Sequence, residues 1–102
     1  MSKLTVVATL RALPGKEEEL ERRLKALIGP TREEAGCLDY DLHRQVDDAS
    51  VFVMVERWVD KGELDKHLQM PYLREFGAAL PDLLRSPLEM QLLELRGTAA
   101  GA

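Results

Sequence analysis

The stretch VFVMVERWVDKGELDKHLQMPY, residues 51–72, changes its hydrophobic period halfway. Val51, Val53 and Val55 alternate with Phe52, Met54 and, further along, Trp58. That period of two predicts a strand over residues 51–59 with large apolar groups on both faces. From Asp60 the pattern becomes helical. Asp60 and Glu63 have the spacing of a cap, Leu64 and Leu68 form an apolar edge, and Pro71 opens a further helical piece carrying Leu73, Phe76 and Leu80.

Upstream, Leu4, Val6, Ala8 and Leu10 alternate with Thr5, Val7 and Thr9, which predicts a first strand, and LPGKEE turns the chain into a helix. Leu20, Leu24, Leu27 and Ile28 form one stripe of that helix, with Glu21 and Lys25 four apart on its wet side. Gly29 and Pro30 are expected to interrupt it. Thr31 and Glu34 then have the spacing of a capping box for one more turn ending at Gly36. A second strand follows over residues 37–45, and the polar turn VDDAS joins it to the third as a hairpin. Asp39, Asp41 and His43 make one of its faces polar, as suits a sheet edge. Residues 88–95 read as the last strand, so residues 1–96 form one domain and 97–102 a flexible tail.

The order β-α-β-β-α-β is ferredoxin-like, an α+β fold whose helices lie on one face of a four-stranded antiparallel sheet. The other face is left bare. Phe52, Met54 and the second apolar face of the last strand are expected there, so the sheet should pack against that of a second copy, leaving a cavity between sheet and helices. The expected assembly is a homodimer forming a dimeric α+β barrel.

A chain of 102 residues, 45% apolar and 31% charged, is one small globular domain. Its net charge of −4, with Lys and Arg scattered among acids, carries no footprint for nucleic acid or anionic lipid. No run is long enough to span a bilayer and the N-terminus has no signal-peptide pattern, so a cytoplasmic protein is expected. Cys37 is the single cysteine, which excludes an intrachain disulfide and reads as a buried strand residue. There is no Gly-rich phosphate loop, paired metal-ligand spacing or nucleophile elbow.

PGKEEELERRL (14–24), EEAGCLDYDLHRQ (33–45), FVMVERWVDKGELDKHL (52–68) and LPDLL (80–84) follow one another as in the antibiotic biosynthesis monooxygenase family, and the chain resembles its small quinol-monooxygenase-like members. The ERW and HL segments are the most specific part. The resemblance implies insertion of oxygen from O₂ into electron-rich aromatics, such as quinols or anthrones, with no flavin, haem or metal cofactor. The family also holds haem-degrading enzymes and an isomerase of a signalling-molecule derivative. The haem-degrading and polyketide-oxidising members use an Asn, and this chain contains none. In many relatives a second His follows the Pro of the HL segment; Tyr72 stands in that place here.

Within that frame His67 is the candidate base, since an imidazole of pKa near 6.5 can take a phenolic proton. The alternative is an edge histidine between Leu64 and Leu68, satisfied by a backbone group or by Glu56. Trp58 could stack on a planar substrate and fix an oxygen with its N–H, or fill the core. Glu56, on a mostly apolar face, needs a partner, which a second subunit could supply. Tyr40 and Tyr72 could hydrogen-bond a substrate carbonyl or serve as core aromatics, and Met54 and Phe76 would line the pocket. Two readings follow: a cofactor-independent monooxygenase, with a small aromatic substrate and O₂ as partners, or a non-catalytic small-molecule-binding or assembly module on the same barrel.

Overall fold

The computed structural model describes residues 3–99. The elements are β1 (Leu4–Arg11), α1 (Glu17–Arg32), β2 (Cys37–Arg44), β3 (Val51–Trp58), α2 (Lys61–Leu68), α3 (Pro71–Ala79), a 3-10 turn (Leu80–Asp82) and β4 (Glu89–Glu94). The four strands form one antiparallel sheet in the order β2-β3-β1-β4, which is the ferredoxin-like α+β arrangement with β2 and β4 at the edges. Among the described residues no helix is long and apolar enough to cross a membrane. Residues 95–99, which include the start of the expected tail, are exposed and outside any helix or strand, and residues 100–102 lie outside the described residues.

The helices cover the sheet face that carries Val6, Ala8, Leu10, Phe52, Met54 and Trp58, and these pack with Leu20, Leu24 and Leu27 of α1 and Leu64 of α2 in one core. Each of the Val, Leu, Phe and Met side chains among them contributes about 1.5–3 kcal/mol on burial. The sequence expectation for Phe52 and Met54 is therefore corrected. Both are only 1% exposed within a single chain. The pattern identified two apolar faces on β3, and the helices took the one with the bulkier groups. The uncovered face carries Val7, Val53 and Val55, half-buried, and exposed Leu93. Strand β4 is short of cover on both faces. Met90 and Leu92 lie opposite Ala8 and Val6 on the helix side, yet they remain 36% and 43% exposed because no helix reaches over that edge.

A second correction concerns α1. It does not stop at Gly29 but runs through Gly29 and Pro30 to Arg32, with Glu33 at its C-cap. Pro30 removes one N–H that would have bonded the Ala26 carbonyl, but Ala26, Gly29 and Pro30 all face solvent, where water can satisfy that carbonyl. Thr31 is consequently inside a helix, fully buried, and caps nothing. At the other helix the expected cap is present: the Asp60 carboxylate accepts from the Glu63 N–H at 2.9 Å.

One irregularity in the sheet positions the site. Cys37 pairs with Trp58 but Asp39 pairs with Arg57, so Leu38 is an extra residue in a β-bulge at the start of β2. An insertion of one residue exchanges the two faces of everything beyond it. Tyr40 is thereby placed opposite Glu56 on the helix side, and Asp39 opposite Arg57 on the open side, where the two form an ion pair.

Candidate functional site

At the end of β3, alternation turns Met54, Glu56 and Trp58 inward together, and α2, started by its Asp60 cap, returns His67 over them. The centroids of the Trp58 and His67 rings are 4.6 Å apart, and Tyr40 approaches His67 edge-on at 5.5 Å. His67 is 1% exposed and Trp58 is fully buried.

The partner of His67 is neither Glu56 nor a backbone group. His67 Nδ1 lies 2.8 Å from Glu34 Oε2, and the Tyr72 hydroxyl donates to the same oxygen. Glu34 sits in the connection between α1 and β2. The Thr-x-x-Glu spacing of Thr31 and Glu34 reads as a capping box, which hides Glu34 as a member of this cluster in the sequence. An available signal was the helical continuity of Leu24, Leu27 and Thr31, which puts Thr31 on the buried stripe and turns Glu34 toward α2 and α3. Tyr72 completes a Tyr72–Glu34–His67 chain of hydrogen bonds. Its hydroxyl is thus engaged, and Tyr72 faces a separate surface depression beside Phe76.

The cavity itself has a volume of about 150 Å³ between the sheet and α2–α3. Tyr40, Met54, Glu56, His67 and Phe76, all candidates from the sequence, line it, together with Leu side chains and Met90 of β4. Trp58 stands behind His67 and is not part of that lining. Its indole N–H, expected to fix a ligand oxygen, donates to Glu56 Oε1 at 2.9 Å. One oxygen of Glu56 therefore has a partner inside its own chain. A wider groove of about 300 Å³ between α1 and β2 is lined by Glu21, Lys25, Arg32 and Arg44 and shares only Tyr40 with this cluster.

Burial sets the electrostatics. It lowers the His67 pKa below its ordinary value, partly offset by the Glu34 hydrogen bond and charge. The Glu56 carboxyl is raised to about 7, chiefly by burial and further by Glu34, against the opposing hydrogen bond from Trp58. The Tyr72 hydroxyl is raised to about 12 by burial and by its bond to Glu34, and Tyr40 is raised by burial. Among the described residues the one buried side-chain polar atom without a partner is Ser86 Oγ. Nε2 of His67 and Oε2 of Glu56, which make no hydrogen bond, are thus not sealed in protein, and both residues line the cavity. With Glu34 accepting from Nδ1–H, the tautomer leaves the Nε2 lone pair open. His43 is exposed and Cys37 half-buried, its Sγ directed to the Asp39 carbonyl, so Cys37 is less enclosed than its sequence context suggests. Among the described residues no three His, Cys, Asp or Glu side chains are grouped to hold a metal ion.

Comparison with known proteins supplies an independent line. The family profile described as "Antibiotic biosynthesis monooxygenase" matches residues 3–79. "Putative monooxygenase Rv0793" of Mycobacterium tuberculosis is 33% identical over 90% of this chain and 90% of its own, and its solved structure superposes with a TM-score of 0.90 at 32% identity, covering 96% and 99% of the two chains. The crystal structure of PA3566 from Pseudomonas aeruginosa gives a TM-score of 0.89 at 38% identity, covering 95% and 97%. "Uncharacterized protein sll1783" of Synechocystis is 32% identical over 93% of this chain, which spans 65% of that relative's length.

Proposed function

The chain belongs to the antibiotic biosynthesis monooxygenase family, and on that premise we propose that it is a cofactor-independent monooxygenase oxidising a small quinol-like or polycyclic aromatic substrate with O₂. The observation that carries this reading is a buried histidine, held by a carboxylate through Nδ1, in the wall of a largely apolar cavity.

Each residue then has a role its environment suits. His67 takes the proton of a substrate hydroxyl at Nε2, and the lowered pKa keeps the ring unprotonated and ready near neutral pH. Glu34, as a positioning residue, fixes the tautomer and stabilises the imidazolium that forms, in the manner of an acid orienting a catalytic histidine. Tyr72 holds Glu34, while Trp58 supports the His67 ring. Tyr40, Met54 and Phe76 contact the aromatic ring and exclude water, which strengthens every interaction with the developing anion. The substrate anion passes one electron to O₂, and the resulting radical and superoxide join through a C–O bond. The His67 imidazolium returns its proton to the peroxide anion, and the hydroperoxide loses water, taking the hydrogen left on the same carbon, to leave a carbonyl. One oxygen atom enters the substrate, the other leaves as water, and the electrons come from the substrate itself.

The assembly that accompanies this reading is a homodimer. Its support is the uncovered apolar surface of Val7, Val53, Val55 and Leu93, with Met90 and Leu92 at the edge of the cavity.

The test is oxygen uptake. Metal-stripped protein should consume O₂ with a reduced quinol or anthrone faster than buffer does. His67→Ala should lower kcat by about 10²-fold to 10⁴-fold with little change in binding, because a proton acceptor acts mainly in the transition state. Tight binding of such aromatics with no uptake across a broad panel would replace the enzyme by a binding module. Full activity in His67→Ala would keep the oxygenase and remove its base.

A further inference from the structure

Glu56 is the second polar group in the cavity wall, and the reaction outlined above leaves it unused. It is 4% exposed, and among the described residues it has no ion-pair partner. The groups around it are Glu34 from the α1–β2 connection, Tyr40 and Cys37 from β2, His67 from α2 and its own neighbour Trp58. Arg57, the adjacent cation, belongs to the opposite face with Asp39. A buried carboxyl surrounded by acids and neutral rings, with no cation beside it among the described residues, favours its protonated form. The Trp58 N–H also distinguishes its two oxygens: by donating to Oε1 it makes that atom the acceptor, so a proton on the carboxyl belongs on Oε2, the oxygen open to the cavity.

We propose that Glu56 is a further catalytic residue: as a carboxylic acid it donates a hydrogen bond from Oε2 to a carbonyl oxygen of the bound ring, conjugated with the hydroxyl or carbon whose proton His67 takes. This rests on the reading of the cavity as the oxidation site and narrows its substrate class to aryl ketones carrying an acidic hydroxyl or enolisable position. As His67 removes the proton, negative charge spreads to the carbonyl oxygen, where a neutral acid stabilises it and a carboxylate would repel it. No atom is transferred by Glu56. Its proton stays on Oε2 throughout the step.

The experiment needs no turnover. Acetophenone is an aryl ketone without a titrating group, and its binding can be followed by calorimetry between pH 5.5 and 9. In the wild type, affinity should be constant in acid and fall by about tenfold per pH unit above the Glu56 midpoint, expected near 7. In Glu56→Gln, whose amide keeps both the acceptor for Trp58 and a donor but cannot titrate, affinity should be flat. Trp58 is the single tryptophan, so the emission of the ligand-free protein should also step near that pH. The step should vanish in Glu56→Gln and persist in His67→Gln. The proposal is overturned by the same fall in Glu56→Gln, by a pH-independent wild type, by an emission step that follows His67 instead, or by failure of acetophenone to bind the wild type at pH 6. Binding as described with no oxygen uptake would keep Glu56 as the hydrogen-bond donor to a bound carbonyl and discard its catalytic role together with the oxygenase.

Discussion

Replacing Glu34 by alanine removes the acceptor shared by His67 and Tyr72. The expected cost follows from what is left behind. His67 is 1% exposed, so its Nδ1–H would be stranded in protein, whereas Tyr72 is only half-buried and can turn to water. A hydrogen bond to a charged group contributes about 1.5–3 kcal/mol, and a buried donor without a partner costs about 1–3 kcal/mol. A loss of about 3 kcal/mol is therefore expected, nearly all of it from His67. The Lys61–Asp65 pair provides the contrast. Its side chains are 67% and 58% exposed, against 13% for Glu34, and Lys61→Ala should cost no more than about 0.5 kcal/mol. Glu34→Gln, which keeps an acceptor oxygen, should fall between the two. Urea unfolding at pH 7 measures all three. Nitrogen-15 NMR of the imidazole adds a second readout: Glu34 holds the His67 pKa up against burial, so Glu34→Ala should lower it further and release the tautomer. A loss below about 0.5 kcal/mol with an unmoved His67 titration would refute the role given to Glu34.

Three further outcomes are expected. Glu56 carries a folded pKa of about 7 against an ordinary 4.5. Between those values the folded protein holds a proton that the unfolded chain has released, so the stabilisation is complete below pH 4.5 and is lost as pH rises through 7. Urea melts from pH 4.5 to 8 should show the wild type losing about 3 kcal/mol more than Glu56→Gln. At Gly36, which is buried, an added Cβ would lie 2.3 Å from Cβ and Cγ of Glu63, so Gly36→Ala should destabilise by about 1–3 kcal/mol in a thermal melt, and an unchanged Tm would contradict this packing. Light scattering at micromolar concentration should give twice the 11.5 kDa chain mass, and a well-folded monomer would sink the dimer.

The parts of the fold that depend on period and local chemistry were legible in the sequence. The alternation in β1 and β3, the α1 stripe and the Asp60 cap all speak through neighbours a few residues apart. The faces were not, because alternation says that Phe52 and Val53 point opposite ways but not which way the helices lie. The bulge at Leu38 was equally silent. A one-residue insertion leaves no composition signal, yet it decides that Tyr40 faces the cavity. His67 and Trp58 stood out as rare residue types near the end of a strand and in the helix after it. Glu34 did not, since its partner is 33 positions away and its spacing from Thr31 has a local explanation that the continuous helix overrides.

The strand order has a consequence for how the protein is made. Of the four strands of this sheet β1 is synthesised first and its outer partner β4 last, with Ala8 waiting for Met90. At typical elongation rates, about 80 intervening residues take roughly 4–16 s, a long time compared with hairpin closure in microseconds. During that interval β2 and β3 can zip and capture one side of β1, but its other side remains an open row of amides and carbonyls. A nascent three-stranded sheet with such an edge is a template for strand addition by a neighbouring chain. Expression level and translation speed should thus govern the yield of native protein through the last six-residue strand, and slowing initiation, which spaces ribosomes along the message, should raise that yield.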